Sequence, residues 1–179
     1  VVQACAHLTA VPGRMQRVNA APAQPMVVVD YAHTPDAVAQ ALSALRTQAL
    51  QRGGQLWCVL GCGGDRDPSK RPLMAAAAES GADHVVLTSD NPRSESPEAI
   101  LAQMVAGLKQ ADRAMVQADR AAALASVVAQ ASPADVVLVA GKGHETYQEI
   151  QGVRWPFDDV AQAQAALQRR AVPEQEGAV

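Results

Sequence analysis

The sequence predicts a doubly wound α/β fold in which helices cover both faces of a mostly parallel six-stranded sheet. Short apolar runs alternate along the chain with longer segments of helical character. Most of these runs are continuous rather than alternating, which is typical of parallel strands buried on both faces. Apolar residues make up 49% of the chain and aromatic residues only 3%, so small aliphatic side chains are expected to pack the helices onto the sheet.

Five apolar runs are predicted to be strands, and the fourth is weak. Each is short, rich in β-branched residues and bounded by turn residues. The runs are Met26–Asp30, Leu56–Leu60, His84–Thr88, Ala114–Gln117 and Val136–Ala140. Two further runs, Tyr147–Ile150 and Val153–Trp155, are predicted to form a small hairpin around Gln151-Gly152.

The predicted helices carry clear start and stop signals. Thr34, Ser96 and Asp119 are residue types that cap helix N-termini. Pro35 and Pro97 occupy the first helical position after two of these caps. The expected helices extend from Pro35 to about Arg52, from about Arg71 to Ser80, from Pro97 onward, from Asp119 to Gln130, and onward from near Asp158.

Charge and composition exclude several classes of protein. The formal net charge of −3 argues against a nucleic-acid-binding surface. No segment approaches the roughly 18 apolar residues of a membrane span, and no signal peptide is recognisable. The cysteines Cys5, Cys58 and Cys62 have no metal-site spacing, so we expect reduced thiols in a cytoplasmic protein. A monomer is the default expectation.

The chain is expected to be a piece of a longer protein, because it opens with Val1 in the middle of a segment. Residues 1–24 are interpreted as the end of a preceding domain and a linker. Residues 25–170 are interpreted as one domain, and residues 171–179 as a flexible tail.

Four loops that follow predicted strands carry unusual polar content. They are residues 30–34, 61–70, 89–95 and 141–146. Because ligands of open α/β sheets bind at the carboxyl ends of the strands, these loops are predicted to form one site. Familiar motifs do not explain them. The chain has no phosphate loop, Arg66 stands where a dinucleotide fingerprint needs its third glycine, and Gln148 stands where a zinc-protease motif needs its second histidine.

The same loops resemble the C-terminal domain of the Mur ligases. The motifs are Asp30-Tyr-Ala-His-Thr-Pro-Asp36, Gly61-Cys-Gly-Gly-Asp-Arg-Asp67 with Lys70-Arg-Pro72, Asp90-Asn-Pro-Arg93 and Gly141-Lys-Gly-His-Glu145. Val11-Pro-Gly-Arg14 resembles the family's junction with a central domain. The resemblance implies a Rossmann-like domain that brings an amino acid to a central domain holding ATP, while an N-terminal domain holds the UDP end of the other substrate.

The resemblance extends to the members that add meso-diaminopimelate to UDP-N-acetylmuramoyl-L-alanyl-D-glutamate in peptidoglycan synthesis. Their implied reaction phosphorylates the γ-carboxylate of the D-glutamyl residue, and the amine of the amino acid then attacks the acyl phosphate. The implied cofactors are ATP and Mg²⁺, both bound mainly by the central domain. Since the 179 residues include no phosphate loop, this chain alone is expected to be inactive and to contain no catalytic residue and no metal ligand.

The resemblance also assigns site residues. Contacts to meso-diaminopimelate are implied for Arg66, Asp90, Asn91, Pro92, Arg93, Gly141 and Glu145. Contacts to ATP are implied for Arg14, Asp30, Tyr31 and His33. An arginine can bind a carboxylate through two hydrogen bonds, and a carbonyl and a carboxylate are suitable acceptors for an ammonium group. The roles of Lys142 and His144 stay open.

Alternatives remain for the roles of single residues and for the function of the protein. Arg66 could instead pair with Asp65 or Asp67, and His33 could form only a local hydrogen bond. The protein could be a lysine-adding Mur ligase, against which Arg93 argues because lysine has no second carboxylate. A folate- or cyanophycin-type ligase would leave the segment 90–93 unexplained. A stand-alone amino-acid-binding module without chemistry is the alternative from another class.

Overall fold

The computed structural model describes residues 11–18, 21 and 23–171. Its strands are β1 (Gln16–Arg17), β2 (Met26–Asp30), β3 (Leu56–Cys62), β4 (His84–Ser89), β5 (Met115–Val116), β6 (Val136–Ala140), β7 (Tyr147–Ile150) and β8 (Val153–Pro156). Its α-helices are α1 (Pro35–Arg52), α2 (Lys70–Gly81), α3 (Pro97–Val105), α4 (Arg120–Gln130) and α5 (Asp159–Ala171), and a 3₁₀ turn covers Ala111–Arg113.

Six strands form one sheet in the order β1-β2-β6-β3-β4-β5. The strands are parallel except β1, which pairs antiparallel with β2. The predicted doubly wound, mostly parallel six-stranded fold is therefore confirmed. The sixth strand is β1, in the segment that the sequence assigned to a linker. A strand of two residues is too short to show a hydrophobic pattern, although the next residue, Val18, is buried in the core.

The two faces of the sheet bury separate apolar clusters. Val28 of β2 packs in the cluster formed with α1, α2 and α3. Val27 and Val29 point to the other face and pack in the cluster formed with α4 and α5. This alternation follows from the period of two along a strand, and it explains why continuous apolar runs were the correct signal for strands buried on both faces.

The predicted caps are in place at three helix starts. The side-chain oxygens of Thr34, Ser96 and Asp119 accept hydrogen bonds from the backbone N–H groups three residues on, at 3.3, 3.4 and 3.1 Å. Gly53 ends α1 in a left-handed conformation, with φ of 68°. The helix starts could be predicted from these signals, because each cap satisfies a backbone donor that the helix itself leaves unpaired.

Cys58 and Cys62 are free and buried. Burial raises the pKa of each thiol to about 12, so both stay protonated near neutral pH and are poor nucleophiles. Cys5 lies outside the described residues, and so does the predicted tail of residues 171–179 except Ala171, which ends α5. Among the helices of the described part of the chain, none combines the length and apolar character needed to cross a membrane.

Candidate functional site

A pocket of about 340 Å³ lies at the carboxyl ends of β2, β3, β4 and β6. The four predicted loops and the start of α2 supply its walls. The lining residues are Tyr31, His33, Thr34, Gly61, Cys62, Gly63, Arg66, Asp67, Lys70, Arg71, Met74, Asp90, Asn91, Arg93, Gly141 and Glu145. Its volume lies within the range of about 300–1,000 Å³ typical of small-molecule sites.

Sheet topology creates this pocket. Strand β6 lies between β2 and β3. From β3 the chain continues into α2 on one face, whereas from β6 it continues through the β7–β8 hairpin into α5 on the other face. Where connections diverge in this way, a crevice opens outside the carboxyl ends of the strands. The four loops converge for this reason.

Most predicted site residues line the pocket, and three do not. Pro92 is buried behind the wall, where its carbonyl accepts a hydrogen bond from the backbone N–H of Glu95. Asp30 is buried below the pocket, and its carboxylate accepts a hydrogen bond from the backbone N–H of Met15 at 2.7 Å. Arg14 is exposed on the rim, with its guanidinium 4.9 Å from the centre of the Tyr31 ring.

Arg93 is held by two other segments. Its guanidinium Nη1 donates to the carbonyl of Gly64 at 2.6 Å. Its backbone N–H donates to the carbonyl of Glu149, and its carbonyl accepts from the N–H of Gln151. Its φ is +54°, a left-handed conformation that a residue with a side chain adopts only when its surroundings hold it there. The β7–β8 hairpin thus fixes the backbone from which this arginine reaches the pocket.

Arg66 differs from Arg93 in being exposed, and it forms no hydrogen bond or ion pair with the described residues. The proposed pairing with a neighbouring aspartate does not form. Asp65 instead accepts a hydrogen bond from the Ser94 hydroxyl at 2.5 Å, and Asp67 accepts one from Ser69 at 2.6 Å. The guanidinium of Arg66 is therefore free to meet an anion at the pocket.

The acidic side of the pocket is a hydrogen-bonded cluster. The Nδ2 of Asn91 donates to the Glu145 carboxylate at 2.6 Å. Asp90 is buried beside Gly141, where an added Cβ would lie 2.7 Å from its carboxylate oxygen. Gly141 also has φ of +116°, so both conformation and space favour glycine there. Burial raises the pKa of Asp90, while the charges of Arg120 and Lys142 act in the opposite direction.

Arg71 belongs to the motif Lys70-Arg-Pro72, but no role was predicted for it. Its guanidinium makes two 2.7 Å hydrogen bonds to the Glu95 carboxylate and donates to the carbonyl of Gly63 at 3.1 Å. Glu95 also accepts from the backbone N–H of Asp65 at 2.6 Å. This ion pair therefore joins the loop after β3 to the loop after β4. The available signal was the position of Arg71 on the buried face of α2, in register with Met74 and other buried residues.

No role was predicted for Arg120 either, although its position on a buried helix face was again the available signal. It is fully buried and makes two 2.7 Å hydrogen bonds to the Asp159 carboxylate. It also donates to the carbonyls of Ser89 and Ala140, the last residues of β4 and β6. The pair therefore fixes the two strand ends from which Asp90 and Gly141 follow. Arg120 lies on the apolar face of α4, where an unpaired charge would be costly.

The rim near Arg14 carries aromatic side chains. The ring of Tyr31 lies 4.6 Å from that of His33 and 5.5 Å from that of His144, measured between centroids. The Nδ1 of His33 lies 2.7 Å from the Tyr31 carbonyl. The local hydrogen bond considered for His33 is therefore present, and the residue also lines the pocket.

A magnesium site does not fit the described residues. Within residues 11–18, 21 and 23–171, no three His, Cys, Asp or Glu side chains converge as a metal ion requires. The three carboxylates that line the pocket already have donors. Ser69 donates to Asp67, Asn91 and Lys142 both reach Glu145, and Lys142 also reaches Asp90. No chemical step is assigned to a metal in this chain.

The family described as "Mur ligase, glutamate ligase domain" matches residues 13–143. The chain belongs to the Mur ligase family. The resemblance inferred from the loop motifs is thereby confirmed. The match begins at residue 13, so this Mur ligase domain includes β1, and it ends before Glu145 and the hairpin that holds Arg93.

Three similar proteins carry the same name. The UDP-N-acetylmuramoyl-L-alanyl-D-glutamate–2,6-diaminopimelate ligase of Acidovorax sp. (strain JS42) is 58% identical over 169 residues, which cover 94% of this chain and 34% of that protein. The ligase of the same name from Chromobacterium violaceum is 59% identical over 155 residues, covering 87% and 31%. A solved structure of a ligase with this name aligns with a TM-score of 0.82 and 48% identity, covering 93% and 33%. This Mur ligase chain therefore spans about a third of the length of these relatives.

Proposed function

We propose that this chain is the C-terminal, amino-acid-binding domain of an ATP-dependent ligase that adds meso-diaminopimelate to UDP-N-acetylmuramoyl-L-alanyl-D-glutamate. The observation that carries the proposal is a single pocket that contains Arg66 and Arg93 together with Asp90 and Glu145. Diaminopimelate has two carboxylates and two ammonium groups, so it needs cations and acceptors within one site. The names of the relatives support the same substrate.

The two arginines are proposed to bind carboxylates. Arg93 has one guanidinium nitrogen engaged by the Gly64 carbonyl, which fixes its direction and leaves the other N–H groups for a ligand. Arg66 supplies a second cation from the exposed rim. Pro92 holds the backbone between Asn91 and Arg93 by its fixed φ. The Gly141 carbonyl and the Glu145 carboxylate are proposed to accept hydrogen bonds from an ammonium group.

The nucleotide contacts are proposed at the rim. Arg14, Tyr31 and His33 would meet ATP when the other domains close on this one. Asp30 would act indirectly, since its carboxylate holds the backbone of Met15 next to Arg14. Residues 1–24 are proposed to contain the end of the central domain, and residues 25–170 most of this domain. We also propose a cytoplasmic monomer, as expected of a ligase that uses a soluble nucleotide substrate.

The proposed reaction forms an amide from an acyl phosphate. The amine lone pair of diaminopimelate attacks the carbonyl carbon, the carbon–nitrogen bond forms, phosphate leaves with its electron pair, and the amine loses a proton to solvent. ATP and Mg²⁺ would supply and screen the phosphoryl group in the central domain. This chain would orient the amine, and its closure would exclude the water that hydrolyses acyl phosphates. The 179-residue chain alone is expected to form no amide bond.

The test is a titration of the ¹⁵N-labelled chain with meso-diaminopimelate and, in parallel, with L-lysine. Diaminopimelate is expected to shift the amides of Arg66, of residues 90–93 and of residues 141–145, whereas lysine shifts them far less. Arg93→Ala removes charged hydrogen bonds worth about 1.5–3 kcal/mol, so affinity should fall roughly 10- to 150-fold. Arg113→Ala, an exposed arginine in the 3₁₀ turn, should bind as the unmodified chain does.

Three results would count against the proposal. Equal binding of lysine and diaminopimelate would remove the substrate preference and favour the lysine-adding alternative. An Arg93→Ala chain that keeps full affinity would remove the role given to this arginine. Binding of neither amino acid, at concentrations where full-length relatives bind theirs, would refute an amino-acid site that this domain forms alone.

A further inference from the structure

Lys142 is completely buried directly after β6. An ammonium group without solvent needs acceptors for its three N–H donors. Its Nζ lies 2.5 Å from the Tyr147 carbonyl, 3.1 Å from the Asn91 Oδ1, 3.5 Å from a Glu145 carboxylate oxygen and 3.6 Å from an Asp90 carboxylate oxygen. One cation thus contacts the loop after β4, its own loop and the start of β7.

These contacts determine how Asn91 presents its amide. The Oδ1 accepts hydrogen bonds from Lys142 Nζ at 3.1 Å and from the backbone N–H of Glu149 at 2.9 Å. With its oxygen held by two donors, the amide must direct Nδ2 the other way, where it donates to Glu145 at 2.6 Å. The position of the Glu145 carboxylate therefore depends on the ammonium of Lys142 both directly and through Asn91.

Lys142 also sets the charge of the cluster. With Asp90 and Glu145 both ionised, the three side chains carry a net charge of −1, which suits one incoming cation. Asp90, Asn91 and Glu145 line the pocket, whereas Lys142 does not. Its ammonium lies behind the acceptors rather than beside the space that a ligand would fill.

We infer that Lys142 is a positioning residue that, together with Asn91, holds the Asp90 and Glu145 carboxylates as the acceptor for an ammonium group of the amino-acid substrate. It does not touch the substrate itself. This inference rests on the proposed function, because the ammonium group that the cluster receives is that of diaminopimelate. It assigns a positioning role to the buried lysine of the Gly141–Glu145 loop.

A pH profile distinguishes this role from a purely structural one. The charged and titratable groups that face Asp90 are Arg120 on α4, Asp159 on α5, Lys142 and Glu145 in the loop after β6, and the Cys62 thiol at the end of β3. Burial and the neighbouring carboxylates raise the pKa of Asp90, and the two cations oppose them. Without Lys142 the pKa of Asp90 should rise further, so the cluster should carry its full negative charge only at a higher pH than in the unmodified chain.

The test compares Lys142→Met with Lys109→Met, a matched change at an exposed lysine. The first measurement needs no ligand: ¹³C-detected NMR follows titration of the Asp90 carboxyl group, and ¹⁵N spectra follow the Asn91 side-chain amide. Loss of a nearby opposite charge should raise the pKa of Asp90 further and remove the hydrogen-bonded shift of the Asn91 amide. Lys109→Met should change neither, and backbone amides of α1 should show that both variants are folded.

The second measurement is affinity for meso-diaminopimelate and for pimelate, a dicarboxylate of the same chain length without amines. Lys142→Met should weaken diaminopimelate binding about tenfold at pH 7, recover much of it by pH 8.5, and leave pimelate binding unchanged. Equal weakening of both ligands at every pH would overturn the inference, as would an unchanged Asp90 titration. If the unmodified chain bound pimelate as tightly as diaminopimelate, the proposed function would fail, and the inference with it. If the unmodified chain preferred diaminopimelate, but Lys142→Met bound both ligands as the unmodified chain does, the inference alone would fail.

Discussion

Replacing Glu95 with glutamine tests the ion pair that joins two loops of the pocket. The hydrogen bonds from Arg71, followed by that from the backbone of Asp65, lower the pKa of Glu95 from 4.5 to about 2. At about 1.36 kcal/mol for each pKa unit, this difference corresponds to at most about 3.4 kcal/mol of folding stability. Because the Glu95 side chain is 31% exposed, solvent screening should reduce the contribution to about 1–2 kcal/mol.

The contribution depends on pH in a defined direction. A carboxyl group whose pKa is lowered by folding stabilises the native state fully above its unfolded pKa of about 4.5. The stabilisation is lost as pH falls from about 5 toward the folded pKa of about 2. The unmodified chain should therefore exceed Glu95→Gln in stability by about 1–2 kcal/mol at pH 7, and by less than half as much at pH 3.

Thermal and urea unfolding followed by circular dichroism measure this difference. For a chain of this size the loss at pH 7 should lower the Tm by roughly 2–8 °C. Glu98→Gln is the matched control, since its carboxylate is exposed at the start of α3 and its side-chain partner is the neighbouring Ser96. The reasoning fails if Glu95→Gln destabilises the chain no more than the control does. It also fails if the difference from the unmodified chain is as large at pH 3 as at pH 7.

Two further changes test the framework around the pocket. Gly143→Ala should destabilise the chain by about 1–3 kcal/mol in urea unfolding, because φ is +55° and the new Cβ would lie 2.6 Å from the Cβ of Tyr31; an unchanged midpoint would contradict this. Arg120→Met should cost about 3–5 kcal/mol by leaving the Asp159 carboxylate buried without its partner. Adding Asp159→Asn to that variant should then cost much less than it does in the unmodified chain, whereas simple additivity would refute the coupling.

Local sequence signals predicted the elements well where the physical cause was local. The cap at Thr34, the glycine at the end of α1 and the apolar run of β6 each act within a few residues, so they can be recognised without knowledge of the rest of the fold. Strand β1 escaped prediction because its two residues are a strand only through pairing with β2.

The candidate site likewise combines features that a local motif predicts with features that depend on residues distant in sequence. Arg93 was predicted to be a site residue from its motif. Its left-handed backbone and its hydrogen bonds to the β7–β8 hairpin were not predicted, because Glu149 and Gln151 lie more than fifty residues away in sequence. The roles of Arg71 and Arg120 could have been suspected from their places on apolar helix faces. Their partners could not, since several carboxylates are available in the sequence and only the packing of the helices selects one.

The sequence by itself determined the fold class, the order of the helices and of the strands from β2 onward, and the family, because hydrophobic period, helix caps and loop motifs are properties of short segments. The tertiary structure alone decided that β6 enters between β2 and β3, which brings the four loops to one crevice. It also decided that Lys142 is buried behind Asn91 and Glu145 rather than exposed to a ligand. A buried charge takes its function from the groups that surround it, and those groups come from parts of the chain that only folding brings together.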